Sequence, residues 1–152
     1  MSERNFWSLI RPNLGIKMYR VENKVAAGMP DIHYVSESGS GWIELKYIPG
    51  FQIKGRTKIG IRKAQAIWHR NYRKNGGISW ILLRVGREKI FLFSGEHAEE
   101  ISKMPSDKEV VVMSCWSFFG NLKKEDWEDL KSVILEPHRF NSALFDYEKL
   151  PS

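Results

Sequence analysis

Cysteine is almost missing from this chain: Cys115 is the only thiol in 152 residues, which excludes a disulfide within the chain and suits a reducing compartment. Lying in an apolar run, it reads as a small buried hydrophobe. No apolar stretch approaches the roughly 18 residues of a membrane span. The N-terminus also lacks a basic start followed by an apolar block, so no secretion signal is expected. The expectation is a cytoplasmic protein with no membrane partner. A Gly-x-x-x-x-Gly-Lys-Ser/Thr phosphate loop is absent, and Gly39-Ser40-Gly41 lacks the spacing of a serine-nucleophile elbow. Four scattered histidines and one cysteine cannot build the common zinc spacings. Internal repeats and low-complexity segments are absent as well.

What is present suits a single domain spanning residues 1–152, with 42% hydrophobic residues and six tryptophans to fill a core. The net charge is +6, and its placement is uneven. Lys54, Arg56, Lys58, Arg62, Lys63, Arg70, Arg73 and Lys74 fall between residues 51 and 75 with no acid among them, whereas residues 95–136 hold ten acids against five lysines. Such asymmetry predicts a basic face that meets a polyanion. A solvated basic helix is the plain alternative.

Beside the basic run lies a pair of carboxylates. Pro30-Asp31 is followed thirteen positions after Asp31 by Glu44-Leu45-Lys46. Residues 30–36 and 42–47 alternate in polarity as two strands, with residues 37–41 as turn material. Alternation puts Glu44 and Lys46 on one face and Leu45 on the other. With Ser36 paired to Gly41, Asp31 would lie opposite Lys46 and diagonal to Glu44, the carboxylates roughly 7–8 Å apart. Two carboxylates and a lysine so placed can hold a divalent cation over a phosphate. The plain alternative is that Asp31 and Glu44 are solvated side chains of an exposed sheet face, with Lys46 a surface partner.

Elsewhere the pattern predicts a helix over residues 3–10, ended by Pro12, Asn13 and Gly15, and a strand over 17–21. A helix over 61–74 stops at Asn75-Gly76-Gly77, and strands over 79–85 and 89–93 turn at Gly86-Arg87. Further on come a short helix over 98–103, a strand over 110–113, a turn at Phe118-Phe119-Gly120 and an amphipathic helix over 123–134. The apolar tail residues Phe140, Leu144, Phe145 and Tyr147 suggest packing onto the domain or onto a second subunit.

The Pro30-Asp31 and Glu44-x-Lys46 pattern, with Gly28 before it and a helix carrying Gln65 and Trp68 after it, resembles the PD-(D/E)XK nuclease superfamily. Residues 28–85 are similar to the virus-type replication-repair nuclease (VRR-NUC) domain and, less closely, to Holliday-junction-resolvase-like endonucleases. The resemblance implies an α/β fold with a restriction-endonuclease-like core, a mixed β-sheet flanked by helices in the order αβββαβ over about residues 1–94. A C-terminal strand and helix extension would cover about 95–152. It also implies Mg²⁺, with Mn²⁺ as a substitute, held by Asp31, Glu44 and the Leu45 main-chain carbonyl. Lys46 would orient the attacking water and stabilise the transition state; its protonation state stays open. Gln65 would hold a water or a phosphate oxygen.

A further acid is expected on the first helix; Glu3 is favoured there, and Glu22 at the next strand's end competes. His33 would share the Asp31 face as an accessory proton carrier or as an ordinary strand residue. Lys54, Arg56, Lys58, Arg62, Lys63, His69, Arg70, Arg73 and Lys74 are expected to touch phosphates with little base readout. The function implied is a metal-dependent endonuclease for branched or structured DNA in replication, repair or recombination, with a virus-encoded enzyme acting in a host cell as one expected setting. The competing reading is a non-catalytic DNA-binding module on the same fold. A homodimer would set two sites on opposite strands of a junction.

Overall fold

Ser2 caps the first helix, α1 (Glu3–Asn13), its hydroxyl accepting from the Asn5 N–H in the computed structural model, which describes residues 2–52 and 55–136. The helix runs past the expected end at residue 10. Pro12 lies within its last turn and has no N–H to give the Ser8 carbonyl, yet the helix continues and the Leu14 N–H still reaches the Ile10 carbonyl.

Six strands follow, β1 (Lys17–Arg20), β2 (Ile32–Ser36), β3 (Gly39–Ile48), β4 (Ser79–Val85), β5 (Lys89–Ser94) and β6 (Trp116–Phe119), and they lie side by side in chain order. Only β3 and β4 are parallel, because α2 (Lys63–Lys74) carries the chain back between them; the other neighbours are antiparallel. The connection from β5 to β6 holds α3 (Ala98–Ser102) and α4 (Asp107–Met113), and α5 (Lys124–Leu135) follows β6. The fold is thus α/β, a mixed sheet with helices on both faces, in the expected order of helix, three strands, helix and two strands.

Strand alternation divides the interior into two cores. Ile32, Tyr34, Ile43, Leu45, Trp80 and Leu82 pack under Phe6 and Ile10 of α1 and Leu130 and Val133 of α5. On the other face Ile81, Leu83, Phe91 and Phe93 meet Ile61, Ala66, Ile101 and Val110, beneath α2, α3 and α4. Burial of these side chains, at about 25 cal/mol per Å² of apolar surface, is what holds the helices down. Within the first core the Trp80 indole N–H donates to the Tyr34 hydroxyl at 3.1 Å, and burial pushes that phenol up to about 12.

Three expectations change. Residues 110–113 are helical rather than a strand: Ser106 accepts from the Glu109 N–H and Glu109 accepts from the Ser106 N–H, a capping box that starts α4 and outweighs the β-branched run Val110-Val111-Val112. Phe118 and Phe119 belong to β6, the edge strand beside β5, and Phe119 is exposed rather than core-capping. The hairpin tip contains only Glu37 and Ser38, so Gly39, Ser40 and Gly41 are part of β3. The tail residues Phe140, Leu144, Phe145 and Tyr147 lie outside the described residues.

Candidate functional site

The short tip slides the hairpin register. Ser36 pairs with Gly39 and Ile32 with Ile43, so one step further Asp31 falls opposite Glu44 instead of opposite Lys46. A slip of two residues preserves which face each side chain takes. Asp31, Glu44 and Lys46 therefore do share a face, the one covered by α2, as the motif predicted.

Burial then separates the two readings of these residues. Glu44 is 2% exposed and Lys46 8%, so neither is a solvated surface charge. Glu44 Oε1 accepts from Gln65 Nε2 at 2.7 Å and lies 3.5 Å from Lys46 Nζ. Glu44 Oε2 is buried with no partner. Burial, and next the neighbouring Asp31 carboxylate, push the Glu44 carboxyl up to about 8, against the pull of Lys46 and Lys24. Asp31 accepts from Lys24 Nζ at 2.9 Å and from the Leu45 N–H at 3.2 Å. That second bond ties the first acid to the backbone between Glu44 and Lys46.

Two features fix the helix over this pair. Gln65 Oε1 accepts from the Arg62 N–H at 2.9 Å, so its amide is held at both ends, by the first turn of α2 and by Glu44. Gly28 has φ +80°, and a Cβ there would stand 2.1 Å from the Ala64 carbonyl oxygen, so the loop leading into Asp31 lies directly on α2. The positive end of a twelve-residue helix is thereby set beside the acids.

The donor set suits a hard cation. An orphaned buried carboxylate oxygen on Glu44, next to the Asp31 carboxylate, is a costly arrangement alone and a favourable one around Mg²⁺ or Mn²⁺, which accept one or two carboxylates and complete their shells with water. Among the described residues no group of three His, Cys, Asp or Glu side chains gathers here. Glu3 sits exposed in the first turn of α1, a helix whose buried side chains join the core on the Leu45 face. Glu22 is exposed just after Val21, whose N–H donates to the Asp31 carbonyl at 2.8 Å. Neither is brought into the Asp31–Glu44 pair.

The basic residues sort into three groups. Arg56, Lys58, Arg62, Lys63 and Lys74 are exposed, as phosphate contacts must be; Arg70 is also exposed and lies 3.7 Å from Glu99, and Lys54 is outside the described residues. His69 and Arg73 do not fit the expected role. His69 is fully buried, its Nδ1 2.8 Å from the Ser79 hydroxyl, and burial, then Arg73, push it down to about 4, so it is neutral at physiological pH. Arg73 donates from Nε and Nη2 to the Ser79 carbonyl at 3.1 and 2.7 Å and lies 5.1 Å over the Trp80 ring. Both hold α2 to β4. Lys24 is the residue that sequence reading missed: nothing local in an exposed loop marks a lysine that closes on Asp31 seven positions later.

No protein-family model and no curated protein matches the sequence. Among solved structures the chain is similar to Hjc, a Holliday junction resolvase from the hyperthermophilic archaeon Archaeoglobus fulgidus, at 17% identity over 62% of this chain and 70% of that one, with a TM-score of 0.42.

Proposed function

We propose that the protein is a divalent-metal-dependent DNA endonuclease of the PD-(D/E)XK type, acting on branched or junction DNA, with Asp31, Glu44 and Lys46 as its working residues. The observation that carries this reading is the orphaned Glu44 oxygen, buried beside Asp31 and Lys46 under the start of α2. Asp31, Glu44 and the Leu45 carbonyl would hold Mg²⁺, which when bound supplies an activated water and neutralises charge on the scissile phosphate. Lys46 provides a donor at the same place, able to steer the attacking water and to stabilise the extra negative charge of the five-coordinate phosphorus. Gln65 keeps Glu44 in position through its 2.7 Å bond. Arg56, Lys58, Arg62 and Lys63 are exposed and would be available to the phosphate backbone. A homodimer would present two such sites to the two strands of a junction.

The test is cleavage of labelled linear, nicked, flapped and four-way junction DNA in Mg²⁺ and in EDTA. Asp31→Asn and Glu44→Gln are expected to abolish cutting while retaining DNA affinity, since neither removes a basic contact. Lys46→Ala should leave a trace of activity. Metal-independent binding with no cutting by the unaltered protein would make it the non-catalytic module instead.

A further inference from the structure

Next to the acids the same sheet face carries a row of aromatic rings. Tyr19 pairs with His33 across β1 and β2, and His33 pairs with Trp42 across β2 and β3, so these three side chains stand in one line on one face. His33 follows Asp31 by two residues and Trp42 precedes Glu44 by two, so the aromatic line runs beside the line of acids, one same-face step of about 6.6 Å away. Beyond Tyr19 the rings are in contact: His33 and Trp42 centroids are 4.7 Å apart, and Trp42 and Trp68 of α2 are 5.9 Å apart. Trp68 in turn stacks on Tyr72 at 4.6 Å and 14°.

A purely structural cluster would be closed over, and this one is not. The helix that covers the acids leaves the β1 and β2 end of the face open, where Tyr19 is 51% exposed and His33 and Trp42 are only half-buried. Lys17 lies 5.9 Å over the Tyr19 ring and Lys24 lies against Asp31, so cations border the line at both sides.

We infer that this line is a stacking platform for the unpaired bases of a single-stranded arm, seated on Tyr19, His33 and Trp42 while the adjoining phosphate lies at the Asp31 side of the site, where a bound metal would meet it. The step between the two lines is comparable to the backbone advance of one stretched-out nucleotide, so a base beside the cut phosphate meets a ring. Aromatic faces accept any base, and the bordering lysines meet the phosphates. Paired bases inside a duplex expose no faces to stack. The inference rests on the nuclease reading for its choice of scissile phosphate and narrows the substrate to DNA with unpaired nucleotides at the cleavage point.

The experiment is fluorescence anisotropy in EDTA with a labelled oligothymidylate, an abasic oligomer of equal length and a blunt duplex, using the unaltered chain, Tyr19→Ala, Tyr19→Phe and Tyr19→Ala/His33→Ala. Because Tyr19 is exposed, its substitution leaves the core intact. Tyr19→Ala is expected to lower the preference for oligothymidylate over duplex by about fivefold or more, and the double substitution by more. Tyr19→Phe should restore the preference, and the abasic oligomer should bind all four proteins alike. Equal losses on abasic and base-bearing oligomers, or no loss on either, would overturn the platform. Parallel cleavage in Mg²⁺ separates the two ideas. Cutting without base-dependent binding removes the platform alone, whereas base-dependent binding without cutting removes the nuclease and keeps the platform.

Discussion

Removing divalent metal should make the stability of this protein fall as pH rises from 6.5 to 8, and the fall should be traceable to Glu44. Its carboxyl is raised from 4.5 to about 8 in the fold, so the folded chain holds a proton there that the unfolded chain has released. The stabilisation is complete below 4.5 and is lost as pH climbs through about 8. His69 works the other way: lowered from 6.5 to about 4, it contributes fully above 6.5 and loses its contribution as pH falls toward 4. The two oppose each other below 6.5, and only Glu44 changes between 6.5 and 8. That interval corresponds to about 2 kcal/mol. At roughly 2–4 °C per kcal/mol for a chain of this size, the melting temperature should drop about 4–8 °C. Differential scanning calorimetry in EDTA across that range gives the slope. Glu44→Gln should flatten it, and millimolar Mg²⁺ should shrink it by favouring the ionised carboxylate. An unaltered chain whose melting temperature is level from 6.5 to 8, or a Glu44→Gln slope equal to the original, would refute the account of the site.

Neutralising Arg56, Lys58 and Lys63 together should weaken binding to every DNA sequence and reduce the slope of log affinity against log salt by about 0.7–0.9 per lost contact; an unchanged slope would make them ordinary surface charges. Arg73→Ala should cost about 2–4 kcal/mol in urea unfolding, because it removes both bonds to the Ser79 carbonyl, and should leave the salt slope of DNA binding alone. Light scattering with and without junction DNA should show two chains per junction, and a single 17.7 kDa chain on each junction would refute the homodimer.

Much of the site was legible because strand alternation is a local rule. Glu44 and Lys46 had to share a face, and two residues of register slip could not undo that. The slip itself depended on whether Gly39, Ser40 and Gly41 turn or extend, and three small residues permit both. Helix α4 was misread from Val110, Val111 and Val112, although Ser106 and Glu109 carried the opposing signal in plain sight. His69 and Arg73 follow Gln65 at intervals of four, so a helix that turns Gln65 to the sheet turns them inward too. Charge counting alone ignored that geometry. Lys24 on Asp31, and Ser79 beneath His69, lie only seven and ten positions apart, but each depends on how an irregular stretch folds back between them, which no periodic pattern encodes.

Gly28 changes how relatives of this chain should be judged alive or dead. On the nuclease reading proposed above, Asp31, Glu44 and Lys46 can all be retained while a single methyl at position 28, driven against the Ala64 carbonyl, parts the loop that leads into Asp31 from the helix that bears Gln65. A descendant with Asp31, Glu44 and Lys46 all intact but alanine or serine at 28 would pass any search for the motif and still be a decoy. On that reading the diagnostic letter is a residue with no side chain at all.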